Sequence, residues 1–333
     1  MIGIAIEALI KSALIAFVLL TAFAYLTFAE RKIAALMQVR KGPNRVGPWG
    51  LLQPAADGIK LIFKEEVMPA GADKVLFFLA PILTMIPAIV IVAVIPVGPD
   101  VELFGRTIRL GISDLNVGLL YILAIASVAV YGIVLAGWSS ANKYALLGGL
   151  RASAQMISYE IALGLSIIGP IMLAGTLSLQ GIVQAQQSST WYVIWQPLGA
   201  MIFLIAGLAE LNRAPFDMPE AEQELTAGYF TEYSGMKFSL FFMGEYIKMV
   251  AVSAIATTLF FGGYLGPFVD KLPWLGILYF AIKTGAFLFL MIWIRLTLPR
   301  LRYDQLMAFG WKVLLPLALF NVVITAVVIV FVG

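Results

Sequence analysis

The chain has no cysteine and no histidine among its 333 residues. Without cysteine it can ligate no iron–sulfur cluster and close no disulfide. Without histidine it lacks the usual haem ligand and the side chain best matched to proton transfer near neutral pH. Electrons must therefore be carried elsewhere, and any protons moved here must use carboxylates, lysines, tyrosines and water. Charge is scarce too: 12% of residues are charged against 61% hydrophobic, with a mean hydropathy of +0.96. Such a composition excludes a single soluble domain. No internal repeat or low-complexity tract is evident, and a net charge of +3 gives no sign of nucleic-acid binding.

A bilayer core about 30 Å thick needs roughly 20 apolar residues per helix. Such runs recur near residues 5–29, 75–98, 115–138, 153–175, 191–209, 238–262, 275–298 and 312–332. They predict an all-α polytopic membrane protein, one integral membrane domain of about eight transmembrane helices with interfacial amphipathic helices in its loops. The first run is of full spanning length, and Glu7 and Lys11 make a poor positive n-region, so no cleavable signal peptide is expected. Sixteen of the 22 lysines and arginines lie in or beside loops near 30–74, 139–152, 210–237 and 299–311. The opposite side has only Lys11, Arg106, Arg109 and Lys271, while Lys248 and Lys283 lie inside spans. The positive-inside rule turns the four basic loops to the cytoplasm and both termini away from it.

In the first loop, "KGPNRVGPWG" is a turn-rich tract. From Leu51 the pattern becomes helical: Leu52, Ala55, Ile59 and Phe63 share one side, Asp57, Lys60 and Lys64 another, and Pro54 falls in the first turn. Too short to span, this helix is expected to lie in the interface. It either braces the bundle or walls an opening through which an amphiphile leaves the lipid. Arg31 and Lys32 anchor the end of the first span, but Glu30, just inside the apolar region, needs a partner.

Ionisable groups inside spans are functional candidates. The apolar run after Glu160 is too short to cross alone, so that carboxylate lies well inside its span, either hydrogen-bonded to a neighbouring helix or relaying protons. Glu245 and Lys248, three apart, can pair on one helix face. Lys283 has a stem long enough to carry its ammonium towards the outer surface. The segment "AELNRAPFDMPEAEQELTAGYFTEY" gathers Glu210, Asp217, Glu220, Glu222, Glu224 and Glu232 against a single Arg213. A capping box at Asp217 and Glu220 is expected to start a helix near Pro219. That helix is either solvated or, given the aromatics between the acids, packed against something. Crowded carboxylates repel, so some are expected to hold protons near neutral pH.

Together with "AERK", "QVRKGPNRVGPWGLLQPAADGIKL", "LRASAQMISYE", "FFMGEY" and "IRLTLPRLRYDQLM", this segment resembles the quinone-site membrane subunit of respiratory complex I. That family spans the bacterial proton-pumping NADH:quinone oxidoreductase and its mitochondrial counterpart. The resemblance runs in order along the whole chain. It implies that span one, span six and the first-loop helix frame the opening by which quinone enters from the membrane. Glu30, Arg31, Arg40, Arg45, Asp57, Lys60 and Phe230 are then expected at the chamber. The acids Glu160, Glu210, Asp217, Glu220, Glu222, Glu224, Glu232 and Glu245 are expected on a proton-coupling route, supported by Arg213, Arg295, Arg300 and Arg302. It implies no metal or cofactor in this chain. Iron–sulfur clusters and flavin belong to partner subunits, one of which supplies the quinone-head site, and small membrane and antiporter-like subunits, quinone and lipid complete the partners. The implied setting is a bacterial cytoplasmic membrane rather than an organellar inner membrane. Two other classes share some features: a membrane subunit of an energy-converting hydrogenase, and a stand-alone secondary transporter. The missing internal repeat disfavours the latter.

Overall fold

The computed structural model describes residues 2–103, 106–108, 110–217, 227–269 and 271–332. Helix α1 (Ile2–Met37) leads through a 3-10 turn (Pro48–Gly50) into the short α2 (Gln53–Ile62). Then come α3 (Lys74–Val92), a hairpin of β1 (Val101–Leu103) and β2 (Arg106–Ile108), α4 (Gly118–Ser139) and α5 (Lys143–Ala174). Short helices α6 (Leu179–Ser188) and α7 (Tyr192–Trp195) precede α8 (Pro197–Glu210). The chain finishes with α9 (Gly235–Phe260), α10 (Trp274–Thr297), α11 (Tyr303–Phe309), a π-helical turn and α12 (Leu315–Val332). The hairpin, with Val101 opposite Ile108, is an addition that hydropathy gave no reason to expect.

Seven helical stretches are long and apolar enough to cross a membrane. The expected span at 191–209 is not one continuous helix: it breaks at Gln196, between α7 and α8. With 14 residues α8 is only about 21 Å long. Proline at the next position cannot continue α7 but suits the first turn of α8. The break is held by α12, where Asn321 Nδ2 donates to Gln196 Oε1 at 2.9 Å and Gln196 Nε2 reaches Thr325 Oγ1 at 2.5 Å. The expected loop at 139–152 is mostly helix as well. Asn142 caps α5 by accepting from the Tyr144 amide, and the helix runs 32 residues, about 48 Å, before ending at left-handed Gly175.

Small residues let α3, α4 and α5 approach closely, as is usual where no aqueous hydrophobic force drives helices together. A Cβ on Gly137 of α4 would lie 2.7 Å from the Ala145 carbonyl oxygen of α5, and one on Gly132 would lie 2.8 Å from that of Ala80 on α3. Tyr159, fully buried on α5, donates to the Leu306 carbonyl of α11 at 2.8 Å. At one end of the bundle the connecting segments bind one another. Val67 N donates to Ser234 Oγ (3.1 Å), Asp73 N to Ser139 O (3.2 Å), Asn142 Nδ2 to Glu232 Oε1 (2.7 Å) and Leu301 N to Pro215 O (3.1 Å). Among the described residues, the candidates for the chamber and the coupling route, Glu160 apart, lie at or near this end.

A leucine at Gly137 must force α4 from α5, an overpacking that costs about 1–3 kcal/mol. Gly285 on α10 has nothing within 4 Å of its Cβ position. Gly137→Leu is expected to lower the midpoint of thermal unfolding in detergent by several degrees, while Gly285→Leu leaves it unchanged.

Candidate functional site

A cavity of about 450 Å³ lies between α1, α2 and α9, within the roughly 300–1,000 Å³ typical of small-molecule sites. On α1, Ala24, Thr27, Arg31 and Ala34 fall at spacings of three and four and face it together. Opposite them, Asp57, Gly58 and Leu61 of α2 complete the wall, and Phe238, Phe242 and Tyr246 of α9 close the back. A Cβ on Gly58 would meet no atom within 4 Å, so the space beside it is open. The other side of α2 exposes Leu52, Ile59, Ile62 and Phe63, the apolar face expected to rest on lipid.

Polar clamps hold α2 near its middle and beyond its C-terminal end. Arg31 Nη1 donates to Asp57 Oδ2 at 2.6 Å and Gln53 Nε2 to Asp57 Oδ1 at 3.0 Å. Past its C-terminal end, Lys237 at the start of α9 pairs with Glu66 at 2.8 Å, and Ser234 binds the 65–67 backbone. The Arg31 and Asp57 side chains are 51% and 24% exposed, so their pair contributes at most about 1 kcal/mol. It positions the helix more than it stabilises it.

Behind the chamber wall sits a buried charge cluster. Arg213, in the turn after α8 and with its side chain only 3% exposed, donates from Nη1 to Glu30 Oε2 at 2.8 Å and from Nε to Glu245 Oε1 at 2.5 Å. Its guanidinium lies over the Tyr246 ring, 4.1 Å from the centroid, and Tyr246 donates its hydroxyl to Glu30 Oε2 at 2.8 Å. Arg295 of α10 pairs with Glu30 Oε1. Burial opposes the charge on Arg213, but Glu245 and then Glu30 outweigh it, so its pKa is raised above the ordinary arginine value. Among the described residues, its Nη2 finds no hydrogen-bond partner.

Glu245 and Tyr246 are neighbours on α9 but face different spaces. Tyr246 lines the chamber, and Glu245 lines a smaller inner cavity of about 40 Å³ shared with Glu210, Asn212, Tyr229, Phe230 and Lys248. Lys248 lies 3.8 Å from Glu210. Glu160, further along, accepts a hydrogen bond from Ser127 of α4.

These positions sort the sequence candidates. Glu30, Arg31, Arg40, Asp57 and Lys60 all line the chamber. Arg45 does not; it is exposed on the turn-rich loop. Phe230 lies in the inner cavity instead and stacks behind the wall, 5.6 Å from the Phe242 ring. Glu245 pairs with Arg213 rather than with Lys248, because a guanidinium from another segment reaches it first. The described loop acids do not crowd together. Glu210 faces Lys248, Asp217 accepts from Arg300 at 3.1 Å, and Glu232 accepts from Asn142. Glu220, Glu222 and Glu224, and the helix expected near Pro219, lie outside the described residues. Arg302 pairs only at the surface, with Asp304 at 3.3 Å, and caps α11. Lys283 sends its ammonium to the end of α9 away from the basic loops, the direction its long stem predicts, and donates there to the carbonyls of Phe261 (2.7 Å), Gly263 (3.1 Å) and Leu265 (2.7 Å). Sequence reasoning passed over Tyr246, Ser127 and Gly58; the first sits inside "FFMGEY", beside a residue it did select.

A family model described as NADH dehydrogenase matches residues 10–326. The chain is 56% identical over 333 residues to an H subunit of the NADH-quinone oxidoreductase of Geobacter sulfurreducens, with 99% of each chain covered. It is 58% identical over 317 residues to an H subunit of the same-named oxidoreductase of Geobacter metallireducens, covering 95% of this chain and 94% of that one. With the corresponding NADH-quinone oxidoreductase chain of Thermomicrobium roseum it shares 54% identity over 335 positions, 97% of each.

Removing one partner of a buried ion pair costs about 3–5 kcal/mol, because the other charge is stranded. Losing one hydrogen bond to a charged group costs about 1.5–3 kcal/mol. Arg213→Met is therefore expected to lower thermal stability clearly more than Tyr246→Phe, which keeps the ring beneath the guanidinium. Equal losses would place the main restraint on Glu30 with Tyr246 instead.

Proposed function

The chain belongs to the NADH dehydrogenase family, and we propose that its chamber admits quinone from the lipid while the charge cluster behind it couples quinone reduction to proton movement. It is a multi-pass membrane subunit of an NADH-quinone oxidoreductase, so its partners are the other subunits of that complex. The relatives compared above all carry the quinone oxidoreductase name, and nothing in the fold favours the hydrogenase or transporter reading.

One observation carries the proposal. Glu30 lines the chamber and Glu245 the inner cavity, and one guanidinium holds both. Quinone becomes quinol by taking up two electrons and two protons. The electrons come from a partner subunit's iron–sulfur cluster, since this chain has no cysteine or histidine to bind one. Negative charge arriving in the chamber opposes the ionised form of Glu30. As Glu30 takes a proton, its hold on Arg213 weakens, and Glu245 gains a larger share of the cation. The change then reaches Glu210 and Glu160 through the inner cavity. Lys60 and Arg40 give the chamber mouth positive charge, suited to the partly negative oxygens of a quinone head.

Under this reading the basic end of the bundle faces the bacterial cytoplasm and both termini face the other side. The acidic segment from Glu210 to Glu232 meets the peripheral subunits.

Gly58 provides the test of the chamber. Gly58→Trp fills the open space beside α2 and is expected to raise the KM for a long-tailed quinone about tenfold, or 1.4 kcal/mol, with kcat and a short-tailed analogue much less affected. Gly58→Ala controls for helix effects, since alanine favours helix by about 0.8–1 kcal/mol over glycine. An unchanged KM in assembled complex with Trp at position 58 would place the quinone's path elsewhere.

A further inference from the structure

Every acid of the charge cluster meets a cation. Glu30 has Arg213 and Arg295, Glu245 has Arg213, and Glu210 has Lys248. These cations are not equivalent. An arginine side chain does not lose its proton in a protein, whereas a buried lysine does so readily. Of the three, only Lys248 can both give and take a proton.

Its surroundings suit that role. The Lys248 and Glu210 side chains are each 10% exposed, and the 3.8 Å between Nζ and Oε1 is an ion pair too long for a direct hydrogen bond. Both border the 40 Å³ inner cavity, which exceeds the roughly 10–15 Å³ a water needs. Asn212 also lines it, and its buried Oδ1 has no hydrogen-bond partner among the described residues. Among the described residues, the charged and titratable groups around Lys248 are few. Its own helix contributes Glu245, the end of α8 Glu210, the following turn Asn212 and Arg213, and the 227–230 turn Tyr229. Helix α3 offers only Thr84, and α4 only Ala129 and Ile133. Helix α5 brings Met156 to the cavity, one turn from Glu160 on the same helix.

We propose that Lys248 is a relay residue, exchanging a proton with Glu210 across the inner cavity and so linking the arginine-held acids to Glu160. The inference rests on the coupling role proposed above. In the ion pair Glu210 is a carboxylate and Lys248 an ammonium. One proton passes from Nζ to the carboxylate, directly after a small side-chain rotation or through one water, leaving a neutral amine and a carboxylic acid. Glu210 then gives that proton towards Glu160, whose one partner among the described residues is the Ser127 hydroxyl. The amine regains a proton that enters the inner cavity through water, and Glu245 stays a carboxylate held by Arg213. No electron moves in these steps, and the pair ends as it began.

The test uses the intact complex in sealed vesicles, with quinone reduction and protons translocated per quinone measured together. Lys248→Arg keeps the positive charge but removes the exchangeable proton. It is expected to sustain quinone reduction while the proton ratio falls at least twofold. Lys248→His keeps a titratable group and is expected to retain part of the ratio. The imidazole's ordinary pKa is about 6.5 against about 10.4 for lysine, so the alkaline fall in the ratio must move to lower pH, a shift no purely structural role produces. An unaltered ratio in Lys248→Arg overturns the inference, as does an unmoved pH profile in Lys248→His. Glu210→Gln separates the two levels. If it too leaves the ratio intact, the carboxylate route itself is wrong. If it lowers the ratio while Lys248→Arg does not, only the lysine step is wrong.

Discussion

Arg213 binds two carboxylates that belong to different spaces, and the arrangement of this bundle's functional end follows from that. A guanidinium placed this deep in an apolar bundle cannot be left unpaired, and neither can the acids. Glu30 from α1, Glu245 and Tyr246 from α9 and Arg295 from α10 are therefore fixed relative to one another by a segment that is not itself a helix. The fork of the guanidinium suits the task, with one nitrogen for each carboxylate and a third free. Stability alone gives little reason for such a cluster, since well-packed apolar residues can do as well. In the proposed coupling its use is to be bistable, the shared cation redistributing to one acid when the other is neutralised.

The chamber in front of this cluster is built differently. Its walls combine small residues and aromatics with the charged Glu30, Arg31, Arg40, Asp57 and Lys60, and α2, a ten-residue helix, is clamped at Asp57 near its middle and at Glu66 beyond its end. Its apolar outer face is exposed and its chamber face is polar. An amphiphile can then pass from lipid to cavity beneath a helix that resembles an interface itself. The rigid helices behind it, drawn together through glycine contacts, keep Glu245 and Lys248 in register with Glu210.

Much of this was legible in the sequence. The spans, the amphipathic α2 and five chamber residues followed from hydropathy, from spacing and from resemblance. What escaped is what single-chain patterns cannot carry. The run at 191–209 is apolar throughout its length, and only Gln196 and Pro197 mark the break, whose stability depends on Asn321 and Thr325 far along the chain. The i, i+3 spacing of Glu245 and Lys248 is real, but Arg213 and Glu210 outcompete it from other segments. Crowding of the loop acids was read from linear density, yet folding sends Asp217 to Arg300 and Glu232 to Asn142. Lys283 sends its ammonium towards the outer side as its stem allows, but the three carbonyls that hold it there come from residues 261–265, outside any local pattern.

The most direct test of the shared cation is Arg213→Lys in assembled complex. A lysine keeps the charge but, as a compact point charge, does not span two carboxylates. Electron transfer to quinone and proton translocation would be measured in the same sealed vesicles. The account predicts that quinone reduction continues while the protons translocated per quinone fall, because chamber and inner cavity no longer share one cation. A proton ratio equal to that of the unaltered complex would contradict it and leave Arg213 as a structural tie alone.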